Sequence, residues 1–300
     1  MGGADIIPGV SGGTVALVVG IYERLVSAIS HFDMNLLRLL TARRWSEAAR
    51  HVDLRFLIAL GLGILTGIVC LADLMQYLLF EQRSYTLAVF FGLILASSWI
   101  VARMARPHGF AQYGLCGGLA VGAALLAYGL VGLSQLGFHE HLGYIFLCGM
   151  VAICAMILPG ISGAYILWLL GAYVAVTEMI SHVMHLEFTA RELLTMSVFC
   201  AGCVVGLVSF SKLLRRLLAH AHMPTMAVLG GFMVGSLRGM WPFQIDLTPD
   251  EPKLKLKQFE SIVPDQWDSE VTTCLVLALS ATVVILVLEW WAARLADRDA

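Results

Sequence analysis

Pro8-Gly9-Val10-Ser11-Gly12 returns 151 residues later as Pro159-Gly160-Ile161-Ser162-Gly163, each time inside a long apolar stretch. Proline removes a backbone donor and clashes with the preceding helical turn, while glycine accepts nearly any backbone angle. Each motif therefore predicts a helix broken in mid-run, within apolar regions spanning about 4–30 and 142–181. The likeness extends beyond the motif. Between 4–31 and 155–182, eleven of 28 positions are identical, among them Gly20 with Gly171, Tyr22 with Tyr173 and His31 with His182. A weaker echo at an offset of 139 pairs Gly63 and Gly67 with Gly202 and Gly206, and Gly92 and Ser97 with Gly231 and Ser236. Shared composition does not place prolines and glycines in one register. The chain reads as one membrane domain, 1–300, made of two homologous halves of about 1–133 and 142–293.

The surroundings of both motifs are those of a bilayer protein. Of the 300 residues, 59% are apolar and 13% charged, against roughly 45–50% and 25% in water-soluble domains, and the mean hydropathy is +0.83. Six further apolar runs lie at about 54–80, 85–102, 113–133, 192–214, 223–241 and 271–293, each near the roughly 20 residues that a membrane-spanning helix needs. This predicts an all-α polytopic membrane protein and excludes a soluble enzyme, a nucleic-acid binder and a secreted disulfide scaffold. The 19 basic and 21 acidic residues nearly cancel, so bulk charge points to no nucleic-acid partner. All seven cysteines lie in apolar segments, where a thiol acts as a small hydrophobe. Cys200 and Cys203 have C-x-x-C spacing without a second pair, which reads as helix packing rather than a metal or redox site. The first residues carry no basic region or cleavage pattern, so no removable signal peptide is expected.

Charge distribution predicts topology. If each broken element is a re-entrant hairpin, 13 of the 19 basic residues fall on one side, including Arg24, Arg38, Arg43, Arg44, Arg50, Arg103, Arg106, Lys212, Arg215 and Arg216. The positive-inside rule makes that side cytoplasmic. Three spans separate the hairpins, so the first enters from the cytoplasm and the second from outside. Each half is then a re-entrant broken-helix hairpin followed by three transmembrane helices, in an inverted-topology repeat of the kind many secondary transporters use. The returning arm 11–30 is about 30 Å long as a straight helix, so it must tilt or emerge as a surface helix.

A helix that begins in mid-membrane turns free N–H groups and the positive end of its dipole toward whatever lies there. Ser11 is a suitable N-cap with Gly12, Gly13 and Thr14 in the first turn, and Ser162 is followed by Gly163 and Ala164. Two such N-termini meeting near the midplane would cradle a phosphate or carboxylate. The plainer alternative is that small residues merely let helices cross closely.

The run Asp5 to Thr14, Gly20-Ile21-Tyr22-Glu23-Arg24, Leu158 to Gly163 and Gly235-Ser236-Leu237-Arg238-Gly239-Met240-Trp241-Pro242 together resemble the bacterial polyprenyl-phosphate (undecaprenyl-phosphate) translocase family, formerly catalogued as a domain of unknown function. The resemblance covers essentially the whole chain. It implies a multi-pass flippase of the bacterial plasma (inner) membrane that returns the cell-wall lipid carrier from the outer leaflet, without a cofactor. Its partners would be the polyprenyl-phosphate lipid and membrane lipids, with proton or sodium coupling and a homo-oligomer both left open. The family's descending arm before the first motif is represented here by Met1 to Ile7, and Tyr173-Val174-Ala175 stands where the first half has Tyr22-Glu23-Arg24.

Other residues carry two readings each. Asp5 is either a coupling carboxylate at membrane depth or a cap for nearby N–H groups. Arg238 is either a phosphate-binding arginine or an interfacial arginine beside Trp241. Glu23 and Arg24 lie about 18–20 Å from Ser11 along a straight helix, too far to touch a phosphate there, and serve as a gate or as interfacial ion pairs. Asp73 has no charged match in the second half. His31 and His182 end the repeats symmetrically and read as caps, and the paired loop histidines have no metal-site spacing. Two alternatives to a lipid transporter stay open, a carrier of small soluble anions and an intramembrane lipid-phosphate enzyme. The second would use Ser11 or Ser162 as nucleophile, and no in-membrane histidine base accompanies either, so no enzyme is expected.

Overall fold

A computed structural model of the chain describes residues 1–5, 11–133, 135–185, 188–248, 257 and 259–296. The first half runs α1 (Gly2–Asp5), α2 (Gly12–Val18), α3 (Tyr22–Ser30), α4 (Met34–Thr41), α5 (Trp45–His51), α6 (Leu54–Glu81), α7 (Arg83–Met104) and α8 (Phe110–Val131). The second runs α9 (Leu142–Ile157), α10 (Gly163–Leu169), α11 (Tyr173–Met184), α12 (Ala190–His220), α13 (His222–Ser236), a 3-10 turn (Leu237–Met240), strands β1 (Gln244–Asp246) and β2 (Phe259–Ser261), and α14 (Ser269–Ala296). Five helices, α6, α7, α8, α12 and α14, are long and apolar enough to cross a membrane, and the bent pairs α2–α3 and α10–α11 reach that length only together. The chain is a multi-pass all-α membrane protein.

The bends explain how the returning arms fit. Each arm is not one helix of about 20 residues but two helices turned by 119° in the first half and 114° in the second. The turns fall at Gly20 and Gly171, whose φ angles are +76° and +71°, a region closed to most side chains. Tyr144 OH donates to the Leu170 carbonyl at the second turn. The apolar run continues unbroken through both turns, so hydropathy alone gave no sign of them.

The chain divides into two compact units, each drawing on both halves of the sequence: 1–69 with 132–225, and 70–131 with 226–300. In the first unit, α12 packs along α9 and against α3. Close approach of α9 and α12 depends on small residues, because a methyl group at Gly206 would lie 2.6 Å from the Met150 carbonyl oxygen. The start of α12 is fixed by a capping box, in which the Thr189 hydroxyl takes the Glu192 amide and the Glu192 carboxylate takes the Thr189 amide. A buried cluster of Cys148, Ala152, Leu167, Ala172, Val176 and Met179 joins α9, α10 and α11.

In the second unit, α7 packs along α14. Gly92 lies so near Ala278 that any side chain would collide with its carbonyl, and Thr282 Oγ1 donates to the Gly92 carbonyl at 3.1 Å. Gly231 on α13 meets the Ala120 carbonyl of α8 in the same way. The expected span 223–241 is not one α-helix: α13 ends at Ser236, whose hydroxyl turns back onto the Met233 carbonyl at 2.7 Å, and the chain tightens into the 3-10 turn. The long loop after it holds the antiparallel pair β1–β2, with Gln244 opposite Ser261 and Asp246 opposite Phe259.

Candidate functional site

Both serines of the repeated motif are N-caps. Ser11 has an extended backbone (φ −114°, ψ 137°) and its hydroxyl accepts from the Gly13 amide at 3.1 Å. Ser162 has the same form (φ −90°, ψ 125°) and accepts from the Tyr165 amide at 3.4 Å. Each starts a seven-residue helix, α2 or α10.

The two broken elements meet. Ser11 Oγ donates to the Met156 carbonyl at 3.1 Å, and Thr14 Oγ1 accepts from the Gly160 amide at 2.9 Å. Tyr22 OH donates to the Ile157 carbonyl at 3.2 Å. A helix that stops at Ile157 leaves its last carbonyls unpaired, and side chains of the first element satisfy two of them. Ser11, Thr14 and Tyr22 are 2%, 4% and 1% exposed, so these bonds are shielded from competing solvent. Gly13 is buried in the contact, where a methyl group would lie 2.7 Å from the Ile157 carbonyl oxygen. Gly12 is buried as well.

The second element is more open. Gly163 and Ala164 are half-buried, and their amides, in the first turn of α10, have no hydrogen-bond partner among the described residues. Gly163 packs against α9, where a methyl group would lie 2.6 Å from the Ala152 carbonyl oxygen. Chemically, the assembled pair offers backbone donors at the positive end of a helix, supported by a rigid partner turn.

The remaining expected residues are dispersed. Asp5 ends α1, and its side chain lies outside the described residues, as do Ile6 to Val10 with the first Pro-Gly break. Glu23 and Arg24 do not pair with each other. Glu23 meets His222 at 3.1 Å, while Arg24 meets Asp53 at 2.6 Å and lies over the Phe56 ring. The hydrogen bond from Arg24 holds the Asp53 carboxyl below the usual carboxylate range. Asp73 is exposed on α6. Arg238 belongs to the second unit, where it donates to the Tyr128 carbonyl at 3.0 Å and lies over the Tyr128 ring.

His31 and His182 do more than end their helices. His31 Nε2 accepts from Arg215 at 2.8 Å, and His182 Nδ1 lies 2.8 Å from a Glu192 carboxylate oxygen. Arg215 and Glu192 stand near opposite ends of α12, roughly 35 Å apart along it. Burial, followed by the Arg215 guanidinium, holds His31 below the ordinary imidazole value. Sequence reasoning passed over Tyr22 as a site residue, although its match with Tyr173 was visible. The backbone atoms that it and Ser11 bind have no sequence signature.

Bent helix pairs whose N-capped turns are bonded to each other suit the transporter class to which the chain's family and relatives point. The chain belongs to the undecaprenyl phosphate translocase-like family, whose model matches residues 1–253. It is 35% identical over 307 aligned residues to a polyprenyl-phosphate transporter of Vibrio cholerae, covering 98% of this chain and 94% of that one. It is 32% identical over 254 residues to a polyprenyl-phosphate transporter of Staphylococcus aureus, covering 81% and 83%. No solved structure matches.

Proposed function

We propose that this protein is a flippase that carries polyprenyl phosphate across the bacterial plasma membrane and so recycles the cell-wall lipid carrier. The observation that carries the reading is the locked pair of Ser-Gly turns, Ser11 to Met156 and Thr14 to Gly160, in a member of this family. The lipid phosphate binds at Ser162, Gly163 and Ala164, where two amides have no partner among the described residues, with Ser11, Gly12, Gly13 and Thr14 framing the site. The isoprenoid tail stays in lipid, so the protein needs to shelter only the charged headgroup from hydrocarbon.

The inverted arrangement is supported by the two histidines, which tie the two bent elements to opposite ends of α12. Elements that leave toward opposite ends of a membrane-length helix suit a site exposed alternately to either side. No cofactor takes part, and an ion gradient acting through Asp5 supplies the direction. The test is reconstitution: purified protein in liposomes moves labelled polyprenyl phosphate between leaflets at a rate above protein-free liposomes. Wild-type protein that leaves the lipid in place would overturn the reading. Uptake of a small soluble anion in its stead would favour the soluble-anion alternative.

A further inference from the structure

Arg83 opens α7, and its guanidinium lies beneath the β1–β2 pair in the second unit. One face stacks on the Phe259 ring, 3.4 Å from its centroid, and Nη2 donates to Gln244 Oε1 at 2.9 Å. Gln244 Nε2 donates onward to the Gly239 carbonyl at 3.3 Å, which fixes the amide. Nε and Nη1 are closed off from solvent and have no hydrogen-bond partner among the described residues. Among the described residues no carboxylate forms an ion pair with Arg83, although the charge of Asp246 acts on it from a distance. Asp246 on β1 is held instead by Lys257 at 2.5 Å and by the Thr248 amide at 2.9 Å. Arg238, next to Gly239, repeats the pattern over Tyr128, again without an ion pair among the described residues.

A guanidinium stripped of water with open donors is a costly group to bury. Its planar array of donors matches an oxyanion better than any other ligand. The sequence keeps the cost, a ring above it and an amide that orients it. We propose that Arg83 is an anion-binding site of this chain, taking a phosphomonoester on its Nε and Nη1 donors, with Gln244 holding the guanidinium in register and Phe259 covering it. Phe259 is half-buried and its neighbours Glu260 and Ser261 are exposed, so the strand pair is the side from which the anion arrives. Only the assignment of that phosphate to a prenyl lipid rests on the function proposed above, since free phosphate has the same chemistry.

The test is equilibrium binding of farnesyl monophosphate, farnesol and inorganic phosphate to the full chain in detergent. It is run on the wild type, and on Ala164→Glu alone and combined with Arg83→Gln or Gln244→Glu. Ala164→Glu fills the open turn of α10, so the combined variants read the Arg83 site. Gln244→Glu puts a carboxylate on the guanidinium in nearly the same shape. A merely structural Arg83 would welcome it, whereas an anion site would lose its ligand. The expected result is at least about a tenfold fall in phosphate affinity, an unchanged or higher melting temperature, and unchanged farnesol partitioning. Phosphate binding equal in the presence and absence of Gln244→Glu would overturn the site, even if Arg83→Gln does not fold. Inorganic phosphate binding as tightly as farnesyl monophosphate would keep the site and overturn the lipid assignment. Ala164→Glu binding farnesyl monophosphate like wild type would contradict the α10 turn and leave the Arg83 site standing.

Discussion

The two Ser-Gly turns share a sequence but not a task. Ser11 matches Ser162, Gly12 matches Gly163, Gly13 matches Ala164 and Thr14 matches Tyr165. In the first turn the Ser11 and Thr14 hydroxyls are spent on backbone of the other break. In the second, the Gly163 and Ala164 amides have no partner among the described residues. The glycine-against-alanine difference fits this: Gly13 faces the Ile157 carbonyl at a distance that bars a methyl group, while Ala164 carries its methyl group half-buried. On the function proposed above, one turn of the duplicated motif frames and the other binds.

That division can be broken. The largest effect belongs to Gly13→Leu, which drives a side chain into the Ile157 carbonyl and should cost about 3 kcal/mol or more. Ala164→Leu at the matched position should leave the thermal midpoint nearly unchanged. Next comes Thr14→Val, which keeps the shape and orphans the buried Gly160 amide, at about 1–3 kcal/mol in chemical denaturation. Ser11→Ala should cost about 1–2 kcal/mol, and Ser162→Ala, whose bond is longer and less buried, about half as much. If Ser162→Ala proved the more damaging, the roles would be reversed.

The smallest effect concerns the two histidine contacts. His31 sits below its ordinary value, so folding favours its neutral form. The stability it adds is complete above about pH 6.5 and falls as pH drops through that value toward the lowered one. Arg215 donates to His31, and Asp33 and His51 also face it. His182 faces a carboxylate instead. The wild type should lose a small increment of melting temperature relative to His31→Gln between pH 7.5 and 5.5.

Much of the architecture was legible because proline and glycine act locally. The second Pro-Gly break and the long spans near 54–80, 192–214 and 271–293 depend on chain stiffness and hydropathy, which a sequence displays. The turns at Gly20 and Gly171 were hidden because nothing polar interrupts the apolar run there, and only φ distinguishes them. β1 and β2 were hidden because three-residue strands carry too little periodicity to register. The locking of Ser11 and Thr14 onto residues 156–160 is tertiary, and its acceptors are backbone atoms. Arg83 carries no signal in the sequence, since only the folded strand pair removes water from its Nε and Nη1.

The central claim, that the second turn holds the phosphate while the first holds the frame, is tested most directly by Ala164→Glu in reconstituted liposomes. A carboxylate in the first turn of α10 suits the helix dipole and occupies the anion's place. The predicted result is a folded protein of wild-type thermal stability whose transbilayer movement of labelled polyprenyl phosphate falls at least about tenfold. Wild-type transport by the folded variant would contradict it.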